Sequence, residues 1–503
     1  MRGSRARRIL PDRELELQSP HVQAQRWSAR LTPRLFLTLW LIGAAIRLAT
    51  AFLYGTQDME YWKAWGDYAT RSAIVDMYGG TDQEIIALWK AGRSIPEIIR
   101  ETQRPIPFRD VRYYSVTSYP LCQPPLFLYS IYPGAWIYRL VNPDMPYGYW
   151  FNFFTNLQPI FLTAATAWII GRFVRSQMGT ELGRLAALAY WLNPLVILNT
   201  PVQGYQDALC AGLAMLSVLE TFRRRPVGAY VFLALALLTK PWALFIAPAV
   251  LWMCLREHPL RRNLLATAAA AGVSVLVCLP YIATGHFLSM VLGVLSLSVH
   301  AMKLSLQALN LWWPVQYAAN TWLLMHDFGV SFLGTLWHPG VFEDVPTAGF
   351  SQRLGIPASA IAFGIWGCFT FLNLAWMTRE SLRDRRVIIL GCALQAYGWY
   401  MFRTGLQGHH SFIIIPTLSL LMLASPTLTR RYATVIGILF AQELLFYGFG
   451  RDWNPVRDVL LDLGLPWVTV ALAIAHVAFF VRLMWELGLF DILSSTRRAA
   501  QPT

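Results

Sequence analysis

Lysine is almost missing from this chain. It occurs at Lys63, Lys90, Lys240 and Lys303 only, while Lys and Arg together number 42 in 503 residues. Charge of either sign is scarce. Charged residues make up 14% of the chain against 55% hydrophobic, and the mean hydropathy is +0.41. Such a composition excludes a soluble domain of this length and fits a multispanning membrane protein. Cysteine is sparse too, at 6. Cys210, Cys254, Cys278, Cys368 and Cys392 fall in apolar runs and read as small core residues. Cys122 alone stands in a candidate outer segment, so no disulfide framework is implied. There is no convincing internal repeat, which argues against a repeat-built transporter. The first twenty residues, MRGSRARRILPDRELELQSP, have no adjacent apolar stretch. They read as a cytoplasmic tail rather than a cleavable signal peptide. The net charge of +14 does not mark a nucleic-acid binder, because the basic residues cluster in short loops between apolar runs. Topology explains that clustering better.

What is there is apolar helix. A helix needs about 20 residues to cross lipid. Candidate runs lie at Leu35–Tyr54, Tyr149–Phe173, Leu182–Thr200, Asp207–Phe222, Asn263–Tyr281, Ile356–Met377, Val387–Phe402, Ser411–Ala424, Tyr432–Gly448 and Leu465–Trp485. A longer run, Val227–Leu255, is split in two at Lys240-Pro241, where proline removes a helix donor. The expectation is an all-α, polytopic bundle of about twelve crossings. Its divisions are a cytoplasmic tail (1–33), a transmembrane module (34–282) with a first outer loop (55–147), a second, partly re-entrant outer loop (283–353), a C-terminal transmembrane module (354–487) and a final tail (488–503). Pro124–Leu140 is apolar enough to span. If it does not cross, the arginine loops at 172–184, 223–225, 256–262, 379–386, 430–431 and 497–498 all share the side of the basic N-terminus, as the positive-inside rule requires. Pro124–Leu140 is therefore expected to be an interfacial or re-entrant, broken element on the outer face. Glu84–Trp89 and Pro96–Arg100 read as short surface helices of the first outer loop.

The stretch after the first run, YGTQDMEYWKAWGDY (54–68), organises the rest. Trp62, Trp65 and Ala69 recur at helical spacing, with Asp58, Glu60, Lys63 and Asp67 on the other face. That pattern predicts a short helix lying in the membrane interface, with Asp58 at its start. Further polar clusters fall on the same side: Ser118–Tyr129, Asn193-Pro194 with Pro201–Asp207, Lys240 at its kink, Ser305–Trp312 and Arg403–His410. Each has an ordinary structural reading. Asp58 could be a helix cap. Gln203 to Asp207 could be a turn with a cap, Asn310 a cap, and His409 and His410 interfacial side chains. Lys240 is hardest to explain so. It is a rare lysine near membrane depth, where an ionisable group is costly and usually functional, and a compact ammonium suits a phosphate oxygen. The two histidines lack the carboxylate and cysteine company of a metal site, and neither metal nor cofactor is implied.

These residues carry a resemblance. The motifs Asp58-Met-Glu-Tyr-Trp, Tyr119-Pro with Pro124-Pro125-Leu126, Asn193-Pro with Gly204-Tyr-Gln-Asp207, Lys240-Pro241, Leu304–Trp312 and Gly408-His-His410 resemble, in order and common face, the GT-C superfamily of membrane glycosyltransferases. The likeness spans roughly Leu35 to Ala424. It is similar to the mannosyl- and glucosyltransferases that extend lipid-linked oligosaccharides. The Trp-Trp-Asp signature of the oligosaccharyltransferase branch is absent. The resemblance implies a polyprenyl-phosphate sugar donor, a glycan or glycolipid acceptor, a lipid bilayer setting with the site on the extracytoplasmic face of the cell membrane, and inverting transfer. It implies that Asp58 is the base toward the acceptor hydroxyl. A phosphate leaving group needs cations rather than a general acid, which nominates Lys240, Arg403, His409 and His410. Sugar and acceptor contacts fall to Glu60, Tyr119, Gln123, Gln203, Gln206, Asp207, Asn310 and Trp312. The rival reading is a transporter or flippase for a lipid-linked glycan. It would place polar residues along a path through the whole membrane depth, whereas here they gather at one face.

Overall fold

The computed structural model describes residues 31–109, 118–300, 303–345, 357–450 and 453–492. Most of the basic N-terminal tail, Arg497-Arg498, and the boundary expected near residue 353 lie outside them. The chain is built from helices. α1 (Pro33–Thr50) leads by a short turn to α2 (Asp58–Arg71). The two short helices expected in the first loop are present, at Asp82–Lys90 and Ile95–Thr102. Each opens on a capping box, Thr81 with Glu84 and Ser94 with Glu97. A minimal antiparallel ladder pairs Ile106 with Tyr119 and Pro107 with Ser118. Then come α3 (Pro125–Val141), α4 (Tyr149–Met178) and α5 (Thr180–Trp191). After α5 the chain bends by 44° at Asn193-Pro194 into Pro194–Val202. α6 (Asp207–Phe222) and α7 (Pro226–Leu237) follow. A short 3-10 turn at Pro241–Phe245 separates α7 from α8 (Ala247–Glu257), so the predicted break at Lys240-Pro241 is real. α9 (Leu260–Ala283), α10 (Ala358–Glu380), α11 (Arg386–Phe402), α12 (Pro426–Phe446) and α13 (Val468–Glu486) complete the bundle.

Five helices among the described residues are long and apolar enough to cross a membrane: α1, α4, α9, α10 and α13. A sixth is possible if the bent pair after Gly179 counts as one span. Other expected runs do not meet that test of length and apolarity. α11 is 17 residues long and buried at every position from Val387 to Phe402, so it is a core helix enclosed by others. Ser411–Ala424 is not a crossing helix at all. It is a 3-10 turn, Gly408–Ile413, followed by the six-residue helix Ile414–Ser419. Hydropathy counts apolar residues, and a residue facing protein is as apolar as one facing lipid. Pro124–Leu140 is also not broken: α3 runs through Pro133. A Cβ on Gly134 would lie 2.7 Å from Phe154 O and 2.9 Å from Thr155 Cα, so α3 and α4 touch backbone to backbone beside the proline.

Small residues set the other close crossings, as membrane packing favours. A Cβ on Gly171 of α4 would lie 2.9 Å from the Ala187 Cβ of α5, and one on Gly183 would lie 2.7 Å from Gly171 O. The arginine loops meet at one end of the bundle. Arg385 forks onto the Glu257 carboxylate at 2.7 and 3.0 Å and also reaches Phe222 O. Arg256 donates to Ser381 Oγ, and Arg431 pairs with Glu486 at 2.7 Å. α6, α8, α11 and α12 therefore each have one end among these arginines. Their other ends lie near Asp207, Lys240, Arg403 and Tyr447, which places the polar clusters at the opposite end of the bundle.

Candidate active site

The start of α2 is stapled to the turn that precedes α6. Thr56 N donates to Gln203 O at 3.0 Å, and Trp62 Nε1 donates to Gly204 O at 3.1 Å. Gly204 has φ +77°, and a Cβ there would lie 2.1 Å from Met59 Sδ. Only glycine fits both that backbone and that contact. On its far side, α2 packs on α3. Trp62 and Trp65 lie against Phe127, and a Cβ on Gly66 would come within 2.7 Å of the Ala135 Cβ. These contacts bring Asp58 beside the start of α6.

The sequence places the charged face of α2 in water, and the structure corrects this. Glu60, Lys63 and Asp67 are as buried as the tryptophans. Lys63 Nζ donates to Arg109 O, and Asp67 is paired with Arg71 at 2.6 Å. The first outer loop covers this face and supplies its partners, so α2 is an internal helix. Gln57, not Asp58, is its cap residue, and no side chain makes a cap bond there. Asp58 is half-buried, and its carboxylate has no hydrogen-bond partner among the described residues. Burial pushes its pKa up to about 6, against the pull of Lys240 and with a push from Asp207.

Lys240 occupies the break between α7 and the Pro241 turn, where its own backbone is extended. Its ammonium lies 2.5 Å from Asp207 Oδ1, and 5.6 Å from the centre of the Phe127 ring. Asp207 Oδ2 is buried without a partner. His409 stacks on Tyr205 at 3.8 Å, and His410 accepts from Gln407 N and faces Trp242 at 4.1 Å. Burial, with Lys240 nearby, holds both imidazoles well below the ordinary histidine range. They are neutral hydrogen-bonding groups in this state rather than the cations expected from sequence.

Around this pair, buried polar atoms stand without protein partners. They include both amide atoms of Gln206, Nδ1 of His409 and both oxygens of Glu443. Clustered orphan atoms are rare in proteins and call for a polar ligand or ordered water. Glu443, Tyr205 and Tyr447 belong to the same site electrostatically. Glu443 interacts with Asp207, while both tyrosines interact with Asp58 and with Glu443. The sequence reading missed Glu443. Its signal was available, as the one acidic side chain in the apolar run Tyr432–Gly448. Among the described residues, no three His, Cys, Asp or Glu side chains gather as a metal site would require.

Other expected site residues make structural contacts. Asn310 donates to Tyr400 O and Arg403 O and accepts from Trp312 N, so its amide is used up as a cap. Trp312 donates to Phe402 O. Gln203 donates to Gly448 O at 3.1 Å, tying the turn to the end of α12, although its Oε1 has no partner. The Arg403 guanidinium lies 3.5 Å over the Phe363 ring, and its Nε and Nη1 are buried without a partner among the described residues. Tyr119 packs its ring on Tyr61 at 4.9 Å. Gln123 is buried, and its carbonyl accepts from Tyr78. Glu60 is fully buried on α2.

One comparison bears on this geometry. Residues 149–256 match the alpha-(1->6)-mannopyranosyltransferase N-terminal domain, the MptA/B family. No curated protein matches the chain. The matched segment runs from the start of α4 to the end of α8. It carries Gln206, Asp207 and Lys240, though not Asp58, Glu443 or the histidines. The mannosyltransferase match supports a glycosyltransferase, and five helices among the described residues are long and apolar enough to cross a membrane.

Proposed function

We propose that this chain is an integral membrane mannosyltransferase of GT-C type. It moves the sugar from a polyprenyl-phosphate donor to a lipid-linked or other extracytoplasmic glycan acceptor, with inversion at the anomeric carbon. The observation that carries the reading is the Asp58 carboxyl, unpartnered among the described residues and near enough to the Asp207–Lys240 pair to feel both charges. A base and a phosphate-binding cation close together are what a single displacement needs. Asp58 takes the proton of the acceptor hydroxyl as its oxygen bonds to the anomeric carbon. The bond from that carbon to the phosphate oxygen breaks, and its electron pair leaves on the polyprenyl phosphate. Lys240 keeps N–H groups free beyond the one directed at Asp207, and these meet the phosphate charge. The neutral His409 and His410 add hydrogen bonds rather than charge.

The test is transfer by the purified full chain in lipid nanodiscs, from radiolabelled polyprenyl-phosphate mannose and, separately, glucose, to a mannan-type acceptor. Label should pass from the mannose donor and stop with Asp58→Asn. Transbilayer movement of a lipid-linked glycan in vesicles, with no transfer from either donor, would replace this reading with the flippase.

A further inference from the structure

The buried acid on α12 has no part in the chemistry described above. Glu443 is 0% exposed, and neither carboxyl oxygen has a partner among the described residues. A buried carboxyl is ordinarily paired or hydrogen-bonded, because leaving it alone costs several kcal/mol. Its surroundings are built to leave room. A Cβ on Gly408 would lie 3.2 Å from its Oε1 and 2.8 Å from Gln442 Nε2, so glycine keeps that side open. The backbone carbonyl of Glu443 accepts from Gln203 Nε2 at 3.5 Å, which fixes this turn of α12 against the turn before Asp207.

We propose that Glu443 is a specificity-determining residue that accepts hydrogen bonds from hydroxyl groups of the donor's sugar. The inference rests on the mannosyltransferase reading and names the group that reads the sugar. Charge directs the assignment. The nearby cation, Lys240, is already matched by Asp207 at 2.5 Å. Among the described residues no cation pairs with Glu443, so its oxygens suit the neutral hydroxyls of the sugar rather than the charged carrier phosphate. Two acceptor oxygens suit adjacent hydroxyls of a hexose. The unpartnered Gln206 amide, which both donates and accepts, lies next to Asp207 in sequence and extends the same polar lining. Tyr205 and Tyr447 interact with both Asp58 and Glu443. A sugar held there would have its anomeric carbon toward Asp58 and its distal hydroxyls toward Glu443.

The test measures binding to the full chain in nanodiscs. The ligands are sugar-free polyprenyl phosphate, polyprenyl-phosphate mannose, and its 2-, 3-, 4- and 6-deoxy analogues. Glu443→Leu removes both acceptors at similar volume, and it strands no protein group, because the carboxyl has no protein partner. Its melting temperature should match or exceed that of the native chain. Wild type should lose roughly 10- to 100-fold in affinity for at least one deoxy analogue, the worth of a hydrogen bond to a charged group. Glu443→Leu should lose that discrimination while binding sugar-free polyprenyl phosphate as before. Glu443→Gln, which keeps one acceptor, should fall between. Native-like discrimination among the deoxy sugars in Glu443→Leu overturns the proposal alone. A wild-type chain that binds none of these lipids overturns the donor reading, and this inference with it. If Glu443→Leu does not fold, Glu443→Met, which also lacks both oxygens, carries the comparison, and native-like discrimination there is likewise fatal.

Discussion

Lys240 and Asp207 form a closed ion pair, 2.5 Å apart with side chains 3% and 7% exposed. The lysine is therefore neutralised before any substrate arrives. On the proposed reading, a donor phosphate would reach it as a third member of the group, not as its first counter-charge. That changes what a mutation at Lys240 measures. Lys240→Met leaves Asp207 buried with no cation, at a cost of about 3–5 kcal/mol of stability. The double variant Asp207→Asn, Lys240→Met removes both charges and should recover most of that loss. Transfer should stay low in both. Thermal melting beside a transfer assay separates the two effects. A single Lys240→Met that melts like the native chain would show that the pair contributes nothing to the fold.

Asn310 illustrates the opposite outcome. Its amide caps the segment at Trp312 and holds two carbonyls at the end of α11. Asn310→Ala should destabilise by about 1–3 kcal/mol, the worth of buried hydrogen bonds left unmade. Turnover per folded molecule should not change. A large fall in kcat with unchanged melting would return Asn310 to the sugar site.

How far the site was legible follows from these residues. Asp58, Asp207 and Lys240 could be read because each interrupts an apolar or aromatic stretch beside a turn, and helix direction then puts them at one end of the bundle. Asn310 and Trp312 look the same in sequence. What separates them is that their polar atoms are already satisfied, and Asn310 finds its carbonyls about ninety residues away on α11. That is a tertiary fact with no local signature. The same limit misled the reading of α2, whose charges are covered by a loop that hydropathy reads as surface. Glu443 was overlooked because the arginine pattern made α12 a plain crossing. Counting apolar runs also cannot tell a helix that faces lipid from one enclosed by protein, as α11 is.

Sidedness can be measured directly. Ser94 is exposed in the first loop, and Ser176 is exposed at the arginine end of α4. Cys368 is the one exposed cysteine among the described residues and must be removed first. In a Cys368→Ser background, a membrane-impermeant thiol reagent should label Ser94→Cys in intact cells and Ser176→Cys only after lysis. The reverse pattern would invert the bundle and put the site on the cytoplasmic face.

Asp58 gives the sharpest prediction, because activity and stability respond to it in opposite directions. Its carboxyl titrates at about 6, raised by burial, against about 3.9 in an unfolded chain. A base must be ionised, so kcat/KM should fall about tenfold per pH unit below pH 6 and level off above it. The stability sign is reversed. A carboxyl whose folded pKa is raised contributes stability that is fully present below the unfolded value. That contribution is lost as pH rises through the folded value. At pH 8 the native chain therefore carries a buried charge that Asp58→Asn does not. The variant should melt at or above the native temperature at pH 8, with the difference closing toward pH 4. Its turnover should be lower by roughly a hundred- to ten-thousand-fold, the usual worth of positioned proton transfer. A helix cap would behave otherwise, since Asn caps about as well as Asp and activity would survive. Glu60→Gln is the control on the same helix: fully buried and pointing away from Asp58, it should alter melting rather than turnover. An active Asp58→Asn, or a pH profile flat through 6, would remove Asp58 from the chemistry.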